Sequence, residues 1–335
     1  MNSPLLSSAA RCYGLDAADL SPLSGGHVSQ VYEFTRDAGS YVLRITPPDS
    51  GISPQAMRAI LHWMRALADH DVPVAAPTPS VNGHLVETIA ADGQTYLITA
   101  SEKAPGVLAE RMPLNVWNDL LFRRMGQLAG QMHAVAQEYA PPEPALRRPA
   151  WDEAGNCFNE PLPDALAASR LAEQRAGVLA RVQALPKDTE CYGMIHADFH
   201  AANFFVDATE HRITVFDFDD CVYGWYAMDI AMPLFDMLVV YPQADKAAFA
   251  ERVLTHFLSG YQEARPITPF WIARLPLFLK LLEISIYAQV YTFYDPEDHL
   301  SWVGKFMRGR RQRIEDGVPY VDLDFRRVGE QVQAS

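Results

Sequence analysis

A polar loop, followed further along the chain by a carboxylate at the end of an apolar run, constrains this sequence more than any other feature. The loop contains His196, Asp198 and Asn203, and the apolar run ends at Asp217. A carboxylate can accept the proton of an attacking hydroxyl, and an amide oxygen with a second carboxylate can bind magnesium beside phosphates. The spacing therefore predicts a phosphoryl-transfer site with Asp198 as catalytic base and Asn203 and Asp217 as metal ligands.

The sequence that follows the loop supports the same interpretation. A His-x-Asp with a later Asn arises by chance in many chains, so these residue types alone are a weak signal. Two short apolar runs, 204–207 and 212–216, come next and predict a β-hairpin that ends at Asp217. A carboxylate at a strand end, facing back toward the loop, is what a metal site requires.

Several further segments, taken in order, resemble one protein family. They are the glycine pair within Ser24–Ser29, the strand-like Tyr41–Ile45, the loop His196–Asn203, the tripeptide Phe216–Phe218 and the segment Ala227–Ala231. Together they resemble the aminoglycoside phosphotransferase and choline kinase superfamily, which comprises small-molecule relatives of the protein kinases. The resemblance covers residues 20–310 and implies ATP as phosphoryl donor and Mg²⁺ as metal.

The resemblance also implies a role for each residue of the loop. Asp198 corresponds to the catalytic aspartate, and Asn203 and Asp217 correspond to the magnesium ligands. His196 is expected to fix the orientation of the loop. Asp229 matches an aspartate that braces the catalytic loop, and a role at a helix N-terminus is the alternative.

The nucleotide-binding residues are expected earlier in the chain. Gly25 and Gly26 can offer backbone N–H groups to phosphates, although a hairpin turn explains two glycines equally well. Arg44 lies where kinases place the phosphate-binding lysine. Ile60 occupies the helix position where its partner carboxylate is expected, so Arg44 either has another partner or contacts phosphate directly. Glu102 lies in a predicted hinge whose backbone can bond adenine, the alternative being a plain interlobe linker.

The patterns of secondary structure predict an α+β, protein-kinase-like fold of two lobes. An N-terminal nucleotide-binding lobe over residues 1–102 has a small antiparallel sheet and a helix at 54–70, and a C-terminal catalytic and substrate-binding lobe over 103–335 is mainly helical around the catalytic hairpin. A long amphipathic helix is expected over 117–139. Further helices are predicted at 165–184, 227–241, 244–264 and 269–294.

Composition excludes several classes of partner. The 335 residues are 49% hydrophobic and carry a formal net charge of −13, which disfavours nucleic acid because phosphate binding needs a cationic surface. The basic run Lys305–Arg313 is expected to be a solvated helix face, with docking of another subunit as the alternative. The longest apolar stretches are interrupted by charges, so no membrane span is predicted.

The cysteines and the start of the chain indicate a cytoplasmic protein. The four cysteines are widely spaced, which fits neither a zinc site nor a disulfide framework. The first fifteen residues lack the apolar core of a signal peptide. Nothing in the sequence decides the oligomeric state, so a homodimer stays open.

The phosphate acceptor is expected to be a small molecule that bears an amine. Carboxylates and aromatic rings together can hold an ammonium group, and the candidates are Asp220, Tyr226, Asp236 and Tyr287. Aromatic residues at helical spacing can equally belong to the core. The predicted activity is transfer of the γ-phosphate of ATP to a hydroxyl of an amine-bearing metabolite or amino sugar. A Ser/Thr protein kinase and a nucleotide-binding pseudokinase are the alternatives.

Overall fold

The computed structural model describes residues 4–23, 29–153, 158, 160–207, 212–241 and 244–334, and the chain divides into two compact units. The smaller unit comprises Met1–Gly106, Ala140–Arg148 and Thr214–Asp219, and the larger unit comprises Val107–Tyr139, Pro149–Ile213 and Asp220–Ser335. The predicted division at residue 102 assigned 140–148 and 214–219 to the C-terminal lobe. They join the smaller unit because Gln55 donates to the Ala145 carbonyl (2.6 Å) and Val215 forms a parallel bridge with Val74.

The smaller unit is built on a five-stranded antiparallel sheet of order β1-β2-β3-β5-β4. Its elements are α1 (Pro4–Arg11), β1 (Ser21–Pro22), β2 (Gln30–Arg36), β3 (Gly39–Thr46), α2 (Pro54–Asp69), β4 (Glu87–Ala91) and β5 (Gln94–Glu102). Asp37 and Ala38 both have positive φ, which gives the two-residue turn between β2 and β3 the twist of the strands. Ser53 begins α2, because its Oγ accepts the Ala56 N–H (3.1 Å).

The core of the smaller unit lies between this sheet and α1. Phe34, Leu43 and Ile98 on the sheet are buried together with Ala9 and Ala10 of the helix. Alternation along β3 directs Leu43 and Ile45 inward, and Arg44 between them points to the other face. The position of Arg44 on the polar face therefore follows from the alternation itself.

The larger unit is mainly helical. Its elements are β6 (Val107–Leu108), α3 (Asp119–Glu138), α4 (Asp164–Ala167), α5 (Arg170–Gln183), β7 (Tyr192–Ile195), β8 (Phe204–Asp207), β9 (Arg212–Val215), β10 (Val222–Trp225), α6 (Tyr226–Val240), α7 (Lys246–Ala264), α8 (Pro269–Ile272), α9 (Leu275–Tyr291), α10 (Trp302–Met307), α11 (Arg310–Glu315) and α12 (Phe325–Ala334). β7 pairs with β10, and a second small sheet has the order β6-β8-β9. The strand β9 continues into the smaller unit.

Three helical predictions needed correction. The predicted helix over 165–184 is divided into α4 and α5, because Ser169 adopts an extended backbone conformation between them. The pattern over 269–294 is not one helix, because Pro276 lacks the N–H that a helix interior needs and starts α9 as a separate element. The basic run Lys305–Arg313 is not one solvated face either, since Gly309 adopts positive φ between α10 and α11. Arg310 pairs with Glu283 (2.8 Å), whose side chain is fully buried.

Within the described ranges, no helix is long and apolar enough to cross a membrane. Three of the four cysteines, Cys12, Cys191 and Cys221, lie in the described part of the chain, and all three are free thiols.

Candidate active site

The predicted catalytic loop leaves β7 in a strained conformation that one buried carboxylate fixes. Ala197 has φ +67°, a left-handed value that costs a residue with a Cβ about 1 kcal/mol. Asp229 of α6 accepts the N–H groups of His196 and Ala197, both at 2.7 Å. Two charge-assisted hydrogen bonds offset the strain. Asp229 therefore holds the loop in this conformation.

Asp198 follows this brace and is held by its own loop. The Asn203 side-chain amide donates to the Asp198 carbonyl (2.9 Å) and to Asp198 Oδ2 (2.7 Å). His200 Nδ1 accepts the Ala202 N–H (3.2 Å), which leaves the proton on Nε2, 3.2 Å from the same Oδ2. The Asp198 side chain is 30% exposed, so its carboxylate is fixed and still accessible.

A buried polar network extends from the brace into α3 and α7. Burial lowers the pKa of His133, which is fully enclosed and therefore neutral. Burial alone would raise the pKa of Asp229, but hydrogen bonds from His133 and from the loop outweigh it and lower the pKa. His133 Nε2 accordingly donates to Asp229 (3.1 Å), and His133 Nδ1 accepts the Tyr261 hydroxyl (2.9 Å). The network links three helical elements to the catalytic loop.

The residues predicted to bind metal have the right donor chemistry. Asn203 uses its N–H donors within the loop, which leaves its carbonyl oxygen as the part suited to a hard cation. Asp217 belongs to the smaller unit and has φ +60°, an unusual conformation for an aspartate at the end of a strand. The described ranges contain no cluster of three His, Cys, Asp or Glu side chains that would form a complete metal cage.

Arg44 has a carboxylate partner that the sequence did not reveal. Its guanidinium forms two hydrogen bonds to Asp219, at 3.0 and 2.5 Å, and its Nε donates to Ser29 Oγ (2.9 Å). Burial lowers the pKa of Arg44, but the bonds and charge of Asp219 outweigh it and hold the pKa above its ordinary value. Ile60, at the position where the helix carboxylate was expected, is buried in α2. Asp219 thus supplies the counter-charge from the segment that carries Asp217.

The other predicted nucleotide contacts have different outcomes. The Glu102 N–H is already bonded to the Ala76 carbonyl (2.9 Å), so an adenine contact through it would require that bond to be given up. Gly25 and Gly26 lie outside the described residues.

A small cavity lies at the Asp198 carboxylate. Its volume is about 90 Å³, and its lining consists of Phe158, Ala197, Asp198, Asp220, Met232, Leu282, Ile286 and Gln289. Asp220 is the one predicted substrate residue among them. The cavity combines the predicted base and a second carboxylate with an otherwise largely apolar wall, which suits a hydroxyl carried by a partly apolar molecule.

The three remaining substrate candidates lie elsewhere. Tyr226 is buried and stacks on His133, with ring centroids 4.6 Å apart. Tyr287 is also buried, beside Tyr291. Asp236 accepts the Ala201 N–H (3.3 Å), and burial raises the pKa of its carboxyl group. The two tyrosines therefore belong to the core, and Asp236 supports the catalytic loop.

Sequence reasoning missed the wall that α9 contributes to this cavity. Leu282, Ile286 and Gln289 follow the helical i, i+4, i+7 spacing, so they share one face of α9. Gln289 is an exposed amide at the end of this otherwise apolar stripe. That change from apolar to polar along one helix face was the sequence signal that could have indicated a cavity lining.

The loop, its brace and the cavity fit a phosphotransferase of the kinase type, with a fixed and accessible carboxylate beside a cavity. Residues 19–267 match the model of the phosphotransferase enzyme family, and the chain belongs to this family.

Known relatives agree with this assignment. The chain is 34% identical over 329 residues to the amicoumacin kinase of Bacillus subtilis (strain 168), covering 96% of this chain and 94% of the relative. It is 28% identical over 346 residues to a homoserine kinase of Paraburkholderia xenovorans (strain LB400), covering 94% of each. Among solved structures, the amicoumacin kinase hAmiN in complex with AMP-PNP, Ca²⁺ and Ami superposes with a TM-score of 0.86 at 29% identity, covering 97% of this chain and 96% of that one.

These similarities confirm the family, the protein-kinase-like fold and the kinase activity that the sequence predicted. Kinases of the family use ATP and a divalent metal ion, in agreement with the predicted cofactors. The relatives act on small molecules. The roles of individual site residues and the identity of the acceptor stay predictions.

Proposed function

We propose that the protein transfers the γ-phosphoryl group of ATP to a hydroxyl group of an amine-bearing small molecule. The observation that carries this proposal is the geometry of Asp198, whose carboxylate is fixed by Asn203 and His200 and lines a cavity. A carboxylate with fixed orientation and open access is suited to general-base catalysis. The family assignment supports the phosphoryl donor.

The reaction forms one bond and breaks another. The acceptor oxygen attacks the γ-phosphorus, the bond between that phosphorus and the bridging oxygen of ADP breaks, and the hydroxyl proton passes to Asp198. Asn203 and Asp217 would hold magnesium, which neutralises charge on the phosphates when bound. Arg44 would bind phosphate as a planar cation oriented by Asp219.

The cavity and the relatives support an amine-bearing acceptor. Asp220 places a second carboxylate in the cavity, and a carboxylate attracts an ammonium group. Homoserine, named in four relatives, carries both an amine and a hydroxyl. Amicoumacin is the first acceptor to test, because the amicoumacin kinase of Bacillus subtilis is 34% identical over nearly the whole chain.

The test is magnesium-dependent release of ADP from ATP in the presence of amicoumacin, homoserine, amino alcohols and aminoglycosides, with Asp198→Asn as the blank. The substitution keeps the shape of the side chain and removes the proton acceptor. We expect at least one acceptor to be phosphorylated, with turnover lower by about 10²- to 10⁴-fold in the variant and nucleotide binding retained. Equal turnover in the two proteins would refute the role of Asp198, and transfer to proteins alone would refute the small-molecule acceptor.

A further inference from the structure

A second and larger cavity lies in the same unit as the catalytic loop. Its volume is about 460 Å³, and its lining consists of Glu160, Pro161, Leu162, Pro163, Asp164, Arg175, Ser285, Ala288, Gln289 and Thr292. The cavity at Asp198, about 90 Å³, is smaller than the roughly 300–1,000 Å³ of typical small-molecule sites, whereas the second cavity falls within that range. The smaller cavity alone can therefore receive only the reacting end of such a molecule.

The two cavities share Gln289 and one helix face. Leu282, Ile286 and Gln289 of α9 line the first cavity, and Ser285, Gln289 and Thr292 line the second. From Leu282 to Thr292 the helix rises about 15 Å at 1.5 Å per residue. Phe158 lines the first cavity and Glu160 lines the second. An elongated molecule could therefore lie along α9 with its hydroxyl at Asp198.

The second cavity contains a buried hydroxyl group without a hydrogen-bond partner among the described residues. Ser285 is 2% exposed, and its Oγ has no hydrogen-bond partner among the described residues. A buried hydroxyl without a partner costs about 1–3 kcal/mol, which a ligand group could recover. This observation is independent of the charges that surround the cavity.

The charges of the second cavity favour a cation. Glu160 and Asp164 contribute two carboxylates, and Arg175 contributes one guanidinium, which leaves one net negative charge. Arg175 is bound to the wall, because its Nη2 donates to the carbonyls of Phe158 (3.0 Å) and Glu160 (2.6 Å). The guanidinium is thus bonded to the backbone of the cavity lining. The carboxylates of Glu160 and Asp164 can then attract an ammonium group.

We infer that the second cavity binds the far end of an elongated acceptor, with Glu160 and Asp164 recognising a cationic group and Ser285 accepting or donating a hydrogen bond. This inference rests on the proposed function and narrows the acceptor class. The enzyme should prefer acceptors whose amine is separated from the reacting hydroxyl by several bonds over compact amino alcohols.

The test measures binding separately from turnover. Calorimetry measures binding to the protein saturated with magnesium and non-reacting AMP-PNP. The titrated compounds are aminopropanol, aminohexanol and aminooctanol, with hexanediol as an uncharged match. The proteins are wild type, the double variant Glu160→Gln/Asp164→Asn, and Glu173→Gln as control. Glu173 is exposed on α5 and lines neither cavity.

We expect wild type to bind the longer amino alcohols more tightly than aminopropanol, and the double variant to weaken their binding by about threefold to tenfold. Wild type and the double variant should bind hexanediol equally, and Glu173→Gln should bind the amino alcohols as tightly as wild type. The melting temperatures of the three proteins should agree. Equal affinity along the series, equal loss for hexanediol, or no binding of any amine would overturn the inference. Carboxylate-dependent binding without phosphoryl transfer would support the second cavity and refute the proposed function. Phosphoryl transfer at equal rates in wild type and the double variant would support the proposed function and refute the role of the second cavity.

Discussion

At the residue scale, Arg44 shows how a missing partner is replaced. A guanidinium in a partly buried strand needs a counter-charge, and α2 presents Ile60 where a carboxylate was expected. Asp219 provides the charge instead, with both of its oxygens bonded to Arg44. Two parallel bonds also fix the plane of the guanidinium, which a single contact would not do. The absence of a helix carboxylate therefore no longer argues for an inactive, nucleotide-binding protein.

Replacing Asp219 by Asn should weaken nucleotide binding. The ion pair becomes a contact between the Arg44 cation and a neutral amide, so the two hydrogen bonds that orient the guanidinium are weakened. We expect the KM for ATP to rise about tenfold. Steady-state kinetics at saturating acceptor measure this change. Arg44→Lys keeps the charge but cannot form both bonds, so it should show a similar increase, and the double variant should add little to either. An unchanged KM in all three variants would remove Arg44 from the phosphate site.

At the scale of elements, α3 and α7 approach more closely than side chains allow. A Cβ added to Gly126 of α3 would overlap the Phe257 carbonyl, and a Cβ added to Gly260 of α7 would overlap the Arg123 carbonyl. Each helix therefore places a glycine against the backbone of the other. Because α3 carries His133 and α7 carries Tyr261, this close approach also sets the spacing of the buried network.

Gly126→Ala should destabilise the protein, although alanine favours helices by about 1 kcal/mol over glycine. The added methyl group meets backbone, which cannot rotate away, and overpacking of this kind costs about 1–3 kcal/mol or more. We expect a melting temperature lower by several degrees. Gly177→Ala on α5 is the matched control, because nothing lies within 4 Å of its added Cβ, and it should raise the melting temperature slightly. A gain in both variants would contradict the close packing.

The buried network should also make the protein sensitive to acid. His133 has a pKa lowered by burial from its ordinary value of 6.5, so the unfolded chain takes up a proton below that pH before the folded protein does. Stability is then lost as the pH falls through 6.5 toward the lowered value, by up to about 1.4 kcal/mol per pH unit. Asp229 acts in the same direction at lower pH, because its lowered pKa makes the folded protein resist protonation.

His133→Gln should therefore reduce the pH dependence of stability. The variant retains a side-chain donor but has no group that titrates, so its melting temperature should fall less than that of wild type between about pH 6.5 and pH 5. Thermal melts across this range measure the difference. His70→Gln, at an exposed position, serves as control and should keep the wild-type slope. Equal slopes for wild type and His133→Gln would show that His133 does not contribute.

At the scale of the whole molecule, local patterns were predictable and long-range contacts were not. The loop from His196 to Asn203 could be recognised because its residues lie close in sequence, and the α+β class followed from the order of strands and helices. Asp219 is 175 residues from Arg44, and nothing in the sequence links the two. Tyr226 and Tyr287 were candidates by composition, yet helical packing turned both toward the core. Spacing along the chain constrains one element, whereas a cavity depends on which faces meet.

Magnesium-dependent stabilisation of the entire protein tests the remaining predicted metal ligand. A ligand at about one hundred times its Kd stabilises the folded state by about 2.7 kcal/mol, so ATP with magnesium should raise the melting temperature by several degrees more than ATP with a chelator. Asp217→Ala should remove this difference while leaving the melting temperature without nucleotide close to that of wild type. Asp322→Ala, which removes an exposed carboxylate, should retain the difference. A full magnesium effect in Asp217→Ala would show that the metal is bound by other residues, because loss of a ligand must weaken binding to the folded state.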